Sequence, residues 1–443
     1  MLAPRVIVSD REEQQRKIKA ELLIEATTAM GMDALLVGDA DLAFGLPWLR
    51  KIAAKHDAPY VSANLVDPES GELVFPATRI VSKGDYTIGI TGVTLDTLPA
   101  PAGRFEAMRP ALKKGVATLR EAQVDFVVAL VHTNFDHAQT LVKETPGIDL
   151  MFTGHSKRHQ EDPIIVDKTA ILEAGSRGKH VGELRLDLKE GGSGWSDPKG
   201  RERLVRQKDQ LTKQMERYDA QLAEETNPSA KSRIQRVRDF TKKKVDGLVI
   251  PPEDDGTAHG LRGRRVPMSR EITDDPAMTE MVDSYLLLLG PGNSGNKLKD
   301  ALAKAQIPQP EITVKESYGD YVTARKCMGC HKEQHADWMK TPHARAWATL
   351  VKERRQYDLD CWSCHVTGAG KEGGPEGPGE VGPLKNVQCE ACHGPGRAHV
   401  AAPTKENIVL APSEALCKEC HTEEQTEGRY VHAEYLPKVD HKD

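Results

Sequence analysis

Four short units of one spacing limit what this chain can become. They are Cys327-Met-Gly-Cys330-His331, Cys361-Trp-Ser-Cys364-His365, Cys389-Glu-Ala-Cys392-His393 and Cys417-Lys-Glu-Cys420-His421. Together they use all eight cysteines of the 443 residues, and none lies before Cys327. One C-x-x-C-H unit alone could be half a zinc site or a redox dithiol. Four of them, each closed by His and with no cysteine left over, read as c-type haem attachment. The two thiols form thioethers to the haem, and the adjacent His supplies an axial nitrogen to the iron. The expected cofactors are four covalent haem c groups, with His331, His365, His393 and His421 as proximal ligands.

From about Glu316 to Asp443 the chain offers only about 32 residues per unit, too few for an ordinary core, so the porphyrins must serve as core. Thr367 to Pro383, with seven glycines and three prolines, reads as a loop.

The supply of sixth ligands then decides the chemistry. An iron with one protein ligand can bind a substrate; an iron with two mainly passes electrons. Nine of the 16 histidines fall in this segment, which leaves five beyond the proximal four. Met328 and Met339 are its only methionines, and Met328 is trapped inside a unit. Mostly bis-His, low-potential haems are expected. His343 ranks first as a distal ligand, because Thr341-Pro342 opens a helix whose positive end keeps the imidazole neutral. His399 follows the turn Gly394-Pro395-Gly396, and His441 follows Tyr435-Leu436-Pro437. His432 and His335 rank last and about level; His335 sits four residues after His331, on the same helix face.

The rest of the chain is patterned differently. Lys plus Arg total 61 against 66 Asp plus Glu, so a basic nucleic-acid binder is excluded. The longest apolar runs, Phe126 to Val131 and Tyr285 to Leu289, fall far short of the roughly 20 residues of a membrane helix. Short apolar strands (Asp33 to Val37, Tyr86 to Val93, Val124 to Val131, Ile148 to Phe152, Ile164 to Leu172) alternate with helical runs (Arg11 to Ala29, Pro47 to His56, 105–121, 135–144). That pattern predicts an α/β layered domain over residues 1–190. Residues 191–250 predict a helical hairpin arm, with a narrow seam of Leu204, Leu211, Met215, Tyr218 and Leu222 that could also serve oligomerisation. Residues 251–315 read as a linker with short helices near 276–289 and 296–305, and 316–443 as the mainly helical haem domain.

Residues 318–441 resemble the tetrahaem cytochrome c family of the hydroxylamine pathway in ammonia-oxidising bacteria. The matching residues are Cys327-x-x-Cys-His, Trp338, Thr341-Pro-His343-Ala, Cys361-x-x-Cys-His-Val-Thr-Gly368, Cys389-Glu-Ala-Cys-His-Gly-Pro-Gly396 with His399, and Cys417-x-x-Cys-His. The resemblance implies that His343 and His399 serve haems other than their sequence neighbours. The family also tolerates an iron without a distal histidine.

Residues about 20–188 resemble the metallophosphatase domain of bacterial 5′-nucleotidases. Gly38-Asp-Ala-Asp-Leu-Ala-Phe-Gly45 stands at the G-N-H-E-F-D-x-G motif, followed in order by Ser62-Ala-Asn64, Leu130-Val-His132 and Gly154-His155-Ser-Lys157. Those enzymes use two metals to activate water. Here Ala40 and Lys157 replace two ligand histidines, and the opening D-x-H and G-D-x-x-D motifs have no counterpart. Only Asp39, His132 and His155 survive, which implies a degenerate, scaffolding domain that could hold one divalent metal at most; His159 and His180 read as ordinary polar residues.

Haem attachment takes place outside the bacterial cytoplasm, so a periplasmic or cell-surface location is expected. No signal peptide is visible in Met1 to Asp10, and the chain is expected to be part of a longer exported protein. The function expected is electron transfer with redox partner proteins. The alternatives are a redox enzyme acting on a small nitrogen or sulfur compound at one open haem, and a residual metal-dependent phosphohydrolase.

Overall fold

The computed structural model describes residues 10–97, 103–156, 163–173, 175–251, 253–254, 256–289, 318–426 and 429–441. The chain gathers into two compact units, one built from residues 23–273 and the other from 6–22 and 274–443.

The first unit is an α/β layer structure. Its elements are α1 (Asp10–Ala29, whose second half lies here), β1 (Leu35–Leu36), α2 (Leu46–Lys55), β2 (Tyr60–Val61), β3 (Leu65–Val66), β4 (Thr78–Lys83), β5 (Tyr86–Thr94) and β6 (Arg104–Phe105). There follow α3 (Met108–Glu121), β7 (Phe126–Thr133), α4 (Phe135–Glu144), β8 (Leu150–His155), β9 (Ile164–Val166), β10 (Thr169–Leu172), β11 (His180–Asp187) and β12 (Trp195–Ser196). The helices α5 (Pro198–Glu224) and α6 (Pro228–Asp246) and the strand β13 (His259–Pro267) complete it. The main sheet has six strands in the order β4-β5-β7-β8-β10-β9, with β5, β7, β8 and β10 parallel.

Period-two alternation in the central strand builds both faces. Val127, Ala129 and Val131 of β7 join the core under α3 and α4, with Leu112, Leu119 and Leu141 fully buried there. Val128 points the other way, to a core shared with Leu150, Trp195 and Leu261. Helix α3 rests close on β5 because Gly115 has no side chain; a Cβ there would collide with Thr91 Oγ1.

Two sequence expectations change. Ile164 to Leu172 is not one strand but a tight antiparallel pair, β9 and β10, turned at Asp167 with φ +53°. The segment expected as a linker contains β13, which pairs with β11 along eight residues. Its Gly and Arg content hid it; cross-strand pairs of Arg262 with Asp187 and Arg264 with Glu183 account for those charges. The predicted hairpin arm is present. Asn227 accepts from the N–H of Ser229 and Ala230 and so caps α6, with Pro228 at the first helical position.

The second unit is helical. It contains α7 (Pro276–Leu288) and then short helices at 324–327, 332–340, 346–352, 359–365, 389–393, 397–401, 414–418, 423–426 and 432–435. Its apolar core is small: Tyr318, Tyr321, Trp362, Val366, Val381 and Leu384. The first half of α1 belongs to this unit. Arg16 and Lys19 both pair with Asp360, and Gln15 exchanges bonds with Tyr357 O (2.9 Å) and Leu359 N (2.8 Å). The helix expected near 296–305 lies outside the described residues. Among the described residues no helix is long and apolar enough to cross a membrane.

Candidate functional site

Each C-x-x-C-H unit forms about one helical turn. The N–H of His331 bonds Cys327 O at 2.9 Å, and that of His421 bonds Cys417 O at 2.9 Å. That turn sets the His on the same side as the first Cys, as a porphyrin edge and its iron require. Caps fix where two of the turns begin: Asp358 accepts from Asp360 N and Ser413 from Leu416 N. No two of the eight cysteines form a disulfide. Burial pushes the Cys361 and Cys392 thiols up to about 11.

The units also meet in pairs. Cys327 lies beside Cys389, and Cys364 beside Cys420. The first unit therefore adjoins the third, and the second adjoins the fourth.

Three histidines outside the units stand against proximal ones. The rings of His331 and His399 are 6.2 Å apart between centroids, those of His343 and His421 6.2 Å, and those of His393 and His441 5.7 Å. Backbone carbonyls fix several of these rings. His393 Nδ1 bonds Val409 O at 2.5 Å, and His365 Nδ1 bonds Ala346 O at 2.6 Å. His399 Nδ1 bonds Thr404 O and Asn407 Oδ1, each at 3.0 Å. In each case Nε2 stays free for a metal. Asn407 was not visible as a partner from the sequence, since nothing in its spacing marks it. Among the described residues the buried Nδ1 of His441 has no hydrogen-bond partner. His343 is held neutral by burial and by the nearby His421, both lowering its pKa.

The remaining two spare histidines are elsewhere. The His335 ring packs on Trp338 at 5.4 Å, inside helix 332–340. His432 Nδ1 bonds the Tyr430 hydroxyl at 2.9 Å. Among the described residues no second histidine ring stands against His365. The helix start at His343 also differs from expectation. Pro342–Arg345 is a 3-10 turn, and the Thr341 hydroxyl does not cap it but donates back to Trp338 O at 2.7 Å. These thiols and imidazoles fit haem c: paired thiols one turn from a histidine, and free ring nitrogens facing one another.

The first unit brings its surviving trio together. Asp39 follows β1, and His132 and His155 lie at the carboxyl ends of the parallel strands β7 and β8, where α/β sheets place their ligands. One ligand atom from each lies within 4.8 Å of the others. His132 Nε2 bonds Asp39 Oδ1 at 3.0 Å, and the His132 and His155 rings are 5.0 Å apart. His155 has φ +90°, an uncommon value away from glycine, as at other functional turns. Burial pushes the His132 pKa down, and the Asp39 bond only partly offsets it, so the ring is neutral and able to ligate. Ala40 is buried and has no donor atom to add. Asp41, not singled out from the sequence, accepts from Gly38 N at 2.9 Å and holds the turn. Lys157 and His159 lie outside the described residues. His180 opens β11 and is not one of the trio.

Residues 326–394 match the family model of cytochrome c554 and c-prime. Cytochrome c-554 of Nitrosomonas europaea is 40% identical over 88 residues, which cover 16% of this chain and 37% of that protein. Bovine 5′-nucleotidase is 25% identical over 193 residues, which cover 37% of this chain and 34% of that one. The matches thus span little more than a third of either relative. A solved 5′-nucleotidase precursor from Thermus thermophilus aligns over 69% of this chain and 49% of its own, with 15% identity and a TM-score of 0.41. The chain thus joins a segment similar to the cytochrome c554 and c-prime family, residues 326–394, to a region similar to 5′-nucleotidases.

Proposed function

We propose that the chain is an exported electron carrier with four covalent haems, three of them bis-His and the one attached at His365 open on its distal side. The three ring pairs at 6.2, 6.2 and 5.7 Å carry this reading. With metal–imidazole bonds of about 2 Å, two rings on opposite faces of one iron have centroids roughly 6 Å apart. His399 then serves the haem of His331, His343 that of His421, and His441 that of His393. His335 and His432, whose rings stand by Trp338 and Tyr430 and not against a proximal histidine, are not assigned as ligands. When bound, haem supplies one-electron chemistry. The protein's part is to hold each ring on its axis and to bring the first attachment unit beside the third and the second beside the fourth. Redox partner proteins are the donors and acceptors. The Asp39, His132 and His155 trio is the remnant of a larger metal centre, with room for one divalent ion in a domain that acts as scaffold.

The open face at His365 favours a second reading, in which a small nitrogen or sulfur compound binds that iron. Reduced-minus-carbon-monoxide difference spectra test both. One haem of the wild type should bind carbon monoxide, and His343→Ala should add a second without loss of covalent haem. Identical spectra for the two proteins would show that His343 is not a ligand. No carbon monoxide binding by the wild type would close the distal side of His365 and remove the second reading.

A further inference from the structure

Glu390 fills the position after the first cysteine of the third attachment unit. The residue is 4% exposed. Oε1 accepts the N–H of Val322 at 2.8 Å and of Gly396 at 2.8 Å, and Oε2 accepts that of Thr323 at 2.7 Å. All three partners are donors, an environment that suits a carboxylate, which accepts at both oxygens. Burying a charge is costly unless such charge-assisted bonds replace water.

Gln388, also buried, extends the fastening. Its Oε1 accepts Ala324 N at 2.7 Å, and its Nε2 donates to Pro383 O at 2.7 Å and Lys385 O at 2.8 Å.

The two ends that Glu390 holds belong to one ring pair. Val322 and Thr323 lead into helix 324–327 and so to Cys327 and His331. Gly396 leads into helix 397–401 and so to His399, whose ring stands 6.2 Å from that of His331. Thr323 is held at φ +75°, a region that a β-branched residue rarely adopts, and its carbonyl accepts the Cys327 thiol. Backbone strain of this kind persists only where its surroundings impose it. The bond from Thr323 N–H to the carboxylate imposes it here.

We propose that Glu390 positions both axial histidines of the first haem from within the third unit, and that its fixed negative charge lowers the reduction potentials of the first and third haems. A buried anion favours the more positively charged ferric iron, and low dielectric strengthens the effect. The proposal rests on the four-haem reading, which the same samples check separately.

The test compares holoprotein of the wild type, Glu390→Gln and Glu390→Asp. Intact mass counts the haems first; a wild type with fewer than four overturns the four-haem reading, whatever the role of Glu390. Spectroelectrochemical titration follows. In Glu390→Gln two of the four components should shift upward and two should stay. In Glu390→Asp, which keeps the charge on a shorter arm, the potentials should stay near wild type while one low-spin signal in the paramagnetic resonance spectrum changes. A Glu390→Gln protein with four haems and wild-type potentials would overturn the proposal. If that variant does not accumulate, Thr323→Gly is added to it, since glycine adopts the strained conformation freely. The double variant should then accumulate with raised potentials. Its failure to accumulate, or wild-type potentials in it, would equally overturn the proposal.

Discussion

The two units of this chain differ in what holds them together. In the N-terminal unit, layered cores of buried Val, Leu and Ile surround three possible ligand side chains. The C-terminal unit carries its thiols and imidazoles largely on short helices, and its apolar cluster among the described residues has six side chains. Polypeptide burial alone sustains the first. The second has too little apolar side chain of its own, and a bound porphyrin must supply the missing interior. A fold stabilised by its own core can lose ligands and persist, whereas a fold organised by its cofactor cannot.

The largest effect expected from that contrast follows from withholding haem. Chain made without haem attachment should lose the fold of the C-terminal unit, while residues 23–273 keep theirs. Limited proteolysis reads this directly: a resistant N-terminal fragment should survive and the haem segment should be digested. Equal resistance of both units would break the comparison.

A smaller effect concerns Asp360, which fastens the first half of α1 within the C-terminal unit. Burial pushes this carboxyl up, but Lys19 and Arg16 more than reverse it and hold it below the usual carboxylate range. A carboxylate lowered by folding contributes stability above its unfolded pKa of about 4, and that contribution is lost as pH falls through 4 toward the folded value. Asp360→Asn should cost about 1–2 kcal/mol at neutral pH and remove this part of the acid sensitivity. Denaturant titrations of the haem-loaded protein at neutral pH and near pH 4 measure it; an unchanged pH dependence would mean that the pair contributes nothing.

The smallest effect is expected at the remnant metal centre. His132→Ala should change no nucleotide hydrolysis, because there should be none to lose with Ala40 in place of a ligand. Metal-dependent 5′-nucleotide hydrolysis that disappears in His132→Ala would show a working phosphohydrolase in place of a scaffold.

The sequence was most legible where local chemistry decides. Cys spacing marks the attachment units, and alternation marks β5, β7 and α4, because period and spacing survive without tertiary context. It was least legible where partners lie far apart in the chain. Strand β13 shows Gly, Arg and Pro and becomes a strand only beside β11, some 80 residues earlier by register. The meeting of His331 with His399, and of His393 with His441, depends on turns that no periodicity encodes. Glu390 stands in the sequence only as part of the Cys389 motif, because its partners are backbone N–H groups, which leave no mark on composition.

The most direct test of the central claim is the low-temperature paramagnetic resonance spectrum of the oxidised holoprotein, with spins integrated against a haem count from intact mass. Four haems should divide into three low-spin irons, one for each of the three facing histidine pairs, and one high-spin iron at His365. Four low-spin irons, or more than one high-spin iron, would contradict it.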